Sequence, residues 1–414
     1  MNLVYADQNG QVFDHPDYLA VGRSGGSFME ILEDELIPLP DGATLVSLPG
    51  CTPIGMDPET GDLLPLSGYT AVGALLPQGF TRLMVPAYVK TNKEEKLPLF
   101  GYSAVVWKKN RFYVTADATD EPYRWNPNNF PRNQLDKHVE RLLKKFPDNR
   151  VYQHLSNCAL GYGCLTASNT FFNRWEGGLP VSRTCNAGCY GCISQQPEGS
   201  GFISPQTRLD FTPTLEELED VMLFHLKKPE SIISFGQGCE GDPSTKAPLV
   251  SQAIRRVREK NTMGYINMNT NAGYTDGIRA IVDAGLDLMR ISIISAIDEH
   301  YNAYYNPRGY TLADVEKSAT YASEKGVFTS INYLVFPGVF DREEEMEAMI
   351  EFIRRTGIRL IQMRNLNIDP DSYLSMIPPP KGEIYGMKQA MEIYRQELPG
   401  VMIGSYTHVP PKVP

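Results

Sequence analysis

The sequence has no apolar run of about 18 residues, the length that a bilayer-spanning helix needs. Its first residues, Met1-Asn2-Leu3-Val4-Tyr5-Ala6-Asp7, lack the basic and apolar regions of a signal peptide, so no export signal is expected. Positive charge is in short supply: 39 Lys and Arg face 49 Asp and Glu, a net charge of −10. That disfavours tight, non-specific nucleic-acid binding. There is no internal repeat and no low-complexity tract. Cysteine is scarce, with seven in 414 residues, an odd number gathered in clusters. That count argues against a disulfide framework and for metal chemistry in a cytoplasmic setting.

What remains is ordinary for a globular protein, 42% apolar and 21% charged. The length admits two domains, one of them barrel-sized. Residues 1–150 read as a β-rich domain. Asp7-Gln8-Asn9-Gly10 and Lys108-Lys109-Asn110 sit between strand-like runs and predict hairpins, and Asp57-Pro58-Glu59-Thr60-Gly61 predicts a further turn. One amphipathic helix is expected near Gln134–Phe146, stopped by Pro147. Residues 151–176 form a connector that carries Cys158 and Cys164.

From residue 177 strands and helices alternate. Strands are expected at Leu179–Arg183, Ser231–Phe235, Tyr265–Asn269, Leu288–Ser295, Phe328–Phe336 and Ile358–Met363. Helices lie between them, one opened by a Thr214/Glu217 capping box and one capped by Asp341 with Glu344. Such alternation implies right-handed βαβ units around a parallel sheet. Over 177–370 this predicts an α/β fold, a partial (βα)6 barrel with chemistry at the C-terminal strand ends. Residues 371–414 are Pro-rich and read as a cap or docking tail.

The chemistry concentrates in Cys185-Asn186-Ala187-Gly188-Cys189-Tyr190-Gly191-Cys192. The spacing is C-x3-C-x2-C, with no fourth cysteine beside it. A cubane cluster normally takes four thiolates, so three leave one iron open for a substrate. A structural zinc site is the competing reading, but such sites usually pair two C-x2-C knuckles and only one is present. An iron–sulfur electron relay is a third.

The triad after a first strand, the βα repeats, and Phe235-Gly236-Gln237-Gly238-Cys239-Glu240-Gly241-Asp242-Pro243 together resemble the radical S-adenosylmethionine (radical SAM) superfamily, over roughly residues 177–370. The resemblance implies a [4Fe-4S] cluster held by Cys185, Cys189 and Cys192. It implies SAM bound at the open iron and cleaved reductively to a 5′-deoxyadenosyl radical that abstracts a substrate hydrogen. It also implies an external one-electron donor of flavodoxin or ferredoxin type. Gly238 and Glu240 would be the Gly-Gly-Glu counterpart, with the carboxylate taking the SAM ammonium. Asn269, Asn271, Ser292, Ser295, Asn332, Gln362 and Arg364, near strand ends, would face SAM or substrate. Tyr190 stands one position before the family's usual aromatic. Cys239 could donate a thiol hydrogen atom to a substrate radical. Cys158 and Cys164, completed by Cys239, Cys51 or His154, could hold a second iron–sulfur cluster. The N-terminal domain lacks the βα alternation of a cobalamin domain, which disfavours a cobalamin methyltransferase. The substrate, small molecule or peptide, is left open.

Overall fold

In the computed structural model, which describes residues 1–411, each of the three turn signals joins two antiparallel strands. Asp7 Oδ1 accepts from the amides of Asn9 (2.9 Å) and Gln11 (2.8 Å), and Asp57 Oδ1 accepts from Glu59 N (2.8 Å). Lys109 and Asn110 both take positive φ, 49° and 58°, the two-residue turn that suits the strands' twist. These hairpins belong to a 13-stranded sheet, antiparallel at every pairing, drawn from Asn2 to Ala118. Three helices follow, Arg132–Lys145, Arg150–Gly161 and Leu165–Phe172. The connector is therefore helical, which the sequence reading did not foresee.

The second sheet is parallel throughout and its strands follow chain order. They are β1 (Glu176–Gly178), β2 (Ile232–Phe235), β3 (Tyr265–Thr270), β4 (Leu288–Ile293), β5 (Phe328–Val335), β6 (Leu360–Asn365) and β7 (Met402–Gly404). Helices between successive strands cover one face, so the sheet curls as a partial barrel. Three expectations need correction. β1 lies before Leu179–Arg183, because only Leu179 N still pairs with β2, at Ser234 O (2.8 Å). The amides of Val181 and Ser182 go to a side chain instead. The supposed C-terminal cap supplies a seventh strand, with Leu360–Gln362 paired to Met402–Gly404. The helix after β5 runs Glu343–Thr356; Asp341 accepts from Gly338 N (2.6 Å) and caps the preceding turn. Of the Pro-rich tail, Lys412-Val413-Pro414 lie outside the described residues.

Side-chain alternation sets the two faces of the barrel. Ile233, Phe235, Ile266, Met268, Ile291 and Ile331 point outward into the main core beneath the helices. Inward, Ile232, Leu288, Phe328 and Leu360 form an apolar floor, with Met402 and Val409 packed on it. Above the floor every inward position from β2 to β6 is polar or charged apart from Leu334. The antiparallel sheet is joined to this barrel. Leu83, Val85 and Leu99 belong to the barrel's own core. Arg82, fully buried, donates to Leu366 O (2.8 Å), and Lys90 pairs with buried Asp369 at 2.6 Å.

Candidate functional site

The cysteine loop leaves β1 at the C-terminal mouth of the barrel. Backbone hydrogen bonds pin it to the end of helix Asp298–Tyr305: Gly188 N to Tyr305 O (3.0 Å), Tyr190 N to Tyr304 O (2.8 Å) and Arg308 N to Asn186 O (2.8 Å). That helix escaped the sequence reading, and it fixes the loop. Cys185, Cys189 and Cys192 all line a cavity of about 310 Å³, together with Arg183, Arg208 and Arg308. Among the described residues no fourth cysteine lines it.

The donor set fits a cluster. A single zinc ion with bonds of about 2.3 Å to sulfur gathers its thiols to about 4 Å of one another. A structural zinc site would also need a fourth ligand, and among the described residues no histidine and no further cysteine lines the cavity to supply it. Burial pushes the Cys185 thiol up to about 11 and Cys189 well above its usual range. Iron reverses that cost by binding the thiolates directly. N–H donors already face the sulfurs: Arg208 Nη2 lies 3.3 Å from Cys192 Sγ and Asn271 Nδ2 3.9 Å from Cys185 Sγ. Donors of this kind tune a cluster from outside its ligand set. Arg208 is a residue the sequence reading missed; it lies in a loop far from any motif.

The glycine-rich loop after β2 is built around Glu240. Its Oε1 accepts from Gly236 N (2.7 Å) and Gln237 N (2.9 Å), its Oε2 from Val181 N (2.7 Å) and Ser182 N (2.8 Å). All four acceptor sites are filled by backbone, so Glu240 fastens the loop to β1 and offers no open oxygen to a SAM ammonium. Burial raises its carboxyl to about 7 against the pull of those four amides. Gly236 must be glycine: φ is +79° and a Cβ would stand 1.8 Å from Asn269 O. So must Gly241, where a Cβ would stand 2.0 Å from Thr184 O. Gly238 lies against Ile193, directly after the triad. Asp242, which the sequence reading did not weigh, accepts from Thr270 Oγ1 (2.9 Å) and Asn271 N (2.7 Å) and so ties this loop to the end of β3.

The remaining candidates separate. Asn271 reaches the triad, donating to Asn186 Oδ1 (2.7 Å) beside Cys185. Asn269 donates to Gly236 O (3.1 Å) and accepts from Asn267 Nδ2 (2.9 Å), which shapes the loop. Ser292 and Asn332 are register partners on β4 and β5, both partly exposed toward the lumen. Asn332 Oδ1 is buried and has no hydrogen-bond partner among the described residues. Ser295, by contrast, is 1% exposed and donates to Glu345 Oε2 (2.7 Å) beside His300, behind the barrel wall. Gln362 is bonded at both ends, to Arg290 Nη1 (3.1 Å) and Ser330 Oγ (3.2 Å). Arg364 donates to Gln78 Oε1 (2.8 Å) and Ser405 O (3.0 Å). Tyr190 turns away from the cavity, with its ring on Phe202 and its hydroxyl accepting from Lys96 Nζ (3.1 Å). Cys239 is 3% exposed and belongs to the core outside the barrel, so its thiol does not face the cavity and cannot serve as a hydrogen-atom donor there. Cys51 lies in the core of the antiparallel sheet with Leu48 and Tyr88, apart from the other cysteines.

The lumen adds residues that no single motif marks. Ser234 Oγ donates to Glu176 Oε1 (2.7 Å), Asn267 Nδ2 to Ser234 Oγ (3.0 Å), and Arg290 Nη1 to Thr407 Oγ1 (2.9 Å). The signal was present: Asn267/Asn269, Arg290/Ser292, Ser330/Asn332 and Gln362/Arg364 each repeat at the two-residue strand period.

The curled parallel barrel thus carries three thiols and an open cavity at its C-terminal mouth. Residues 179–353 match the sequence model of the Radical SAM superfamily. Among solved structures the chain is similar to HydG, a maturase of the [FeFe]-hydrogenase, at 13% identity over 66% of this chain and 66% of that one, TM-score 0.38. It is similar to a radical SAM methyltransferase from Sphaerobacter thermophilus at 14% identity, over 55% and 64% of the two chains, TM-score 0.39. It is also similar to Streptococcus suis SuiB bound to precursor peptide SuiA at 11% identity, over 61% and 52%, TM-score 0.37. The alignments span about two thirds or less of the length of these structures. No curated protein matches the chain.

Proposed function

We propose that this chain is a radical-initiating enzyme that binds a [4Fe-4S] cluster on Cys185, Cys189 and Cys192 and SAM at the iron without a protein ligand. The observation that carries this reading is the thiol count: three cysteines line the cavity and, among the described residues, no fourth does. When bound, the cluster supplies one electron for reductive cleavage of SAM, and the resulting carbon radical takes a hydrogen atom from substrate.

The chain's residues hold and shield this chemistry. Arg208 and Asn271 present N–H groups to the sulfurs. Glu240 and Asp242 hold the loop that packs against Thr184, which lines the cavity beside the triad. Ser292 and Asn332 lie in the lumen, where SAM and substrate would meet, and the free Asn332 Oδ1 suits a hydroxyl or amino donor. The apolar floor under the polar layer closes the lumen from the opposite side and keeps water out. An external one-electron donor completes the reading.

The test is anaerobic. The protein is reconstituted with iron and sulfide, reduced with dithionite and given SAM. Release of 5′-deoxyadenosine, absent from the C185A/C189A/C192A protein, is the expected result. A fully loaded cluster that binds no SAM in an equilibrium-dialysis measurement would identify an electron relay instead.

A further inference from the structure

Apart from the triad, one group of ligating side chains in the described residues has single-ion spacing. His154 and Cys158 are four apart on helix Arg150–Gly161 and so share one of its faces. Cys239, on the loop after β2, meets that face. One ligand atom from each of the three lies within 4.8 Å of the other two. That is the spacing around one tetrahedral ion, with sulfur at about 2.3 Å and imidazole nitrogen at about 2.0 Å from the metal. It is too tight for a cluster, in which each thiolate binds a different iron. Both thiols are covered, Cys158 at 1% and Cys239 at 3% exposure, while His154 is half-buried. His154 Nε2 is itself buried and has no hydrogen-bond partner among the described residues. A histidine nitrogen left bare beside two thiols is what a ligand set presents before its ion arrives. Cys164 is near along the chain: its backbone N donates to Cys158 O at 3.0 Å, where the chain turns through Gly163 into the next helix, and its thiol stands outside the 4.8 Å group.

We propose that His154, Cys158 and Cys239 form a second metal site, distinct from the triad, which takes one thiophilic divalent cation of the zinc class and is closed by Cys164. Binding displaces the thiol protons to solvent, and no electron is transferred. The ion would staple the helix that precedes the barrel to the loop that Glu240 organises. This role is structural and holds whether or not the triad does radical chemistry.

The experiment measures metal content in the full-length protein. Wild-type protein prepared with zinc should carry one zinc ion per chain in addition to its iron, and the C185A/C189A/C192A protein should keep the zinc while losing the iron. In that background C158S, C239S and H154A should each lose the zinc, and C164S should bind it about 10–100-fold more weakly. Cobalt(II) added to metal-free protein should give a tetrahedral thiolate spectrum that zinc abolishes. Circular dichroism of each variant separates lost binding from lost fold. If C158S fails to fold, the cobalt spectrum of H154A, in which the thiols remain, decides. Three outcomes would overturn the proposal: no bound metal in a folded protein whose four thiols alkylate freely, iron with acid-labile sulfide at these residues, or a Cys158–Cys239 disulfide under reducing preparation.

Discussion

Glu240 puts four backbone amides on one carboxylate and joins β1 to the glycine-rich loop. Glu240→Gln replaces an acceptor oxygen by an amino group that faces two N–H donors, leaving both unpaired. The expected loss is about 2–6 kcal/mol of stability, read by chemical denaturation, since each orphaned buried donor costs about 1–3 kcal/mol. An unchanged midpoint with a weaker SAM affinity would return Glu240 to ligand binding. A second residue sets an acid limit. His225 is buried under Gly177, donates from Nε2 to Trp175 O (3.1 Å), and burial pulls it down to about 4. An unfolded histidine titrates near 6.5, so the unfolded chain takes up the proton first as pH falls. Stability is complete above about pH 6.5 and declines between there and about pH 4, by about 2 kcal/mol at pH 5. Burial acts oppositely on Glu240 and on Asp341, which rises to about 6, so these carboxyls favour the fold at low pH and lose that contribution as pH rises from about 4 to about 6 for Asp341 and about 7 for Glu240. Comparing wild type with His225→Gln at pH 7.5 and pH 5 isolates the histidine; identical pH dependence in both would refute its role.

At the level of elements, the turns were readable because their chemistry is local. Asx and glycine residues at Asp7–Gly10 and Asp57–Gly61 satisfy amides within four residues. The ends of β1 and β7 were not readable, because their partners are distant in sequence. β1 stops where the Glu240 carboxylate, 58 and 59 residues on, takes over its amides. β7 follows a Pro-rich stretch whose composition suggests a tail, yet its edge is filled by β6. The residues after it reach back further still: Ser405 N and His408 Nε2 bond Asp120 Oδ2 at 2.8 and 2.7 Å. Ending the chain at residue 398 would remove β7, bare the β6 edge and uncover the floor. The melting midpoint should fall by about 5–10 °C, with increased dye binding to exposed apolar surface; an unaltered melt would show that β7 is dispensable.

At the level of the whole molecule, the two sheets share interior. Leu83, Val85 and Leu99 complete the barrel's core, and Lys90 has its charge partner, Asp369, just past β6. Neither side chain of that pair is more than 6% exposed, so removing Asp369 leaves Lys90 buried with only the longer contact to half-exposed Asp371 at 3.7 Å. Asp369→Ala should cost about 3–5 kcal/mol, and a chain of residues 119–411 alone should fail to give a cooperative melt. A stable, cluster-loading barrel from that fragment would show the antiparallel sheet to be an accessory. Tyr190 meets Lys96 from the antiparallel part at 3.1 Å, so the same packing that joins the sheets also braces the cysteine loop.

The sequence by itself determined the parallel α/β architecture, the hairpins and the grouping of three thiols in one loop, because periodicity, turn chemistry and cysteine spacing are written within short windows. Tertiary structure alone decided which polar groups remain free. Glu240, Gln362 and Ser295 look like ligands along the chain, and each is occupied by partners brought from elsewhere by folding. Asn332, Arg208 and the meeting of His154 with Cys239 gain their chemistry only from that same convergence. A side chain's availability depends on every neighbour within hydrogen-bonding reach, and most of those neighbours are far away in sequence.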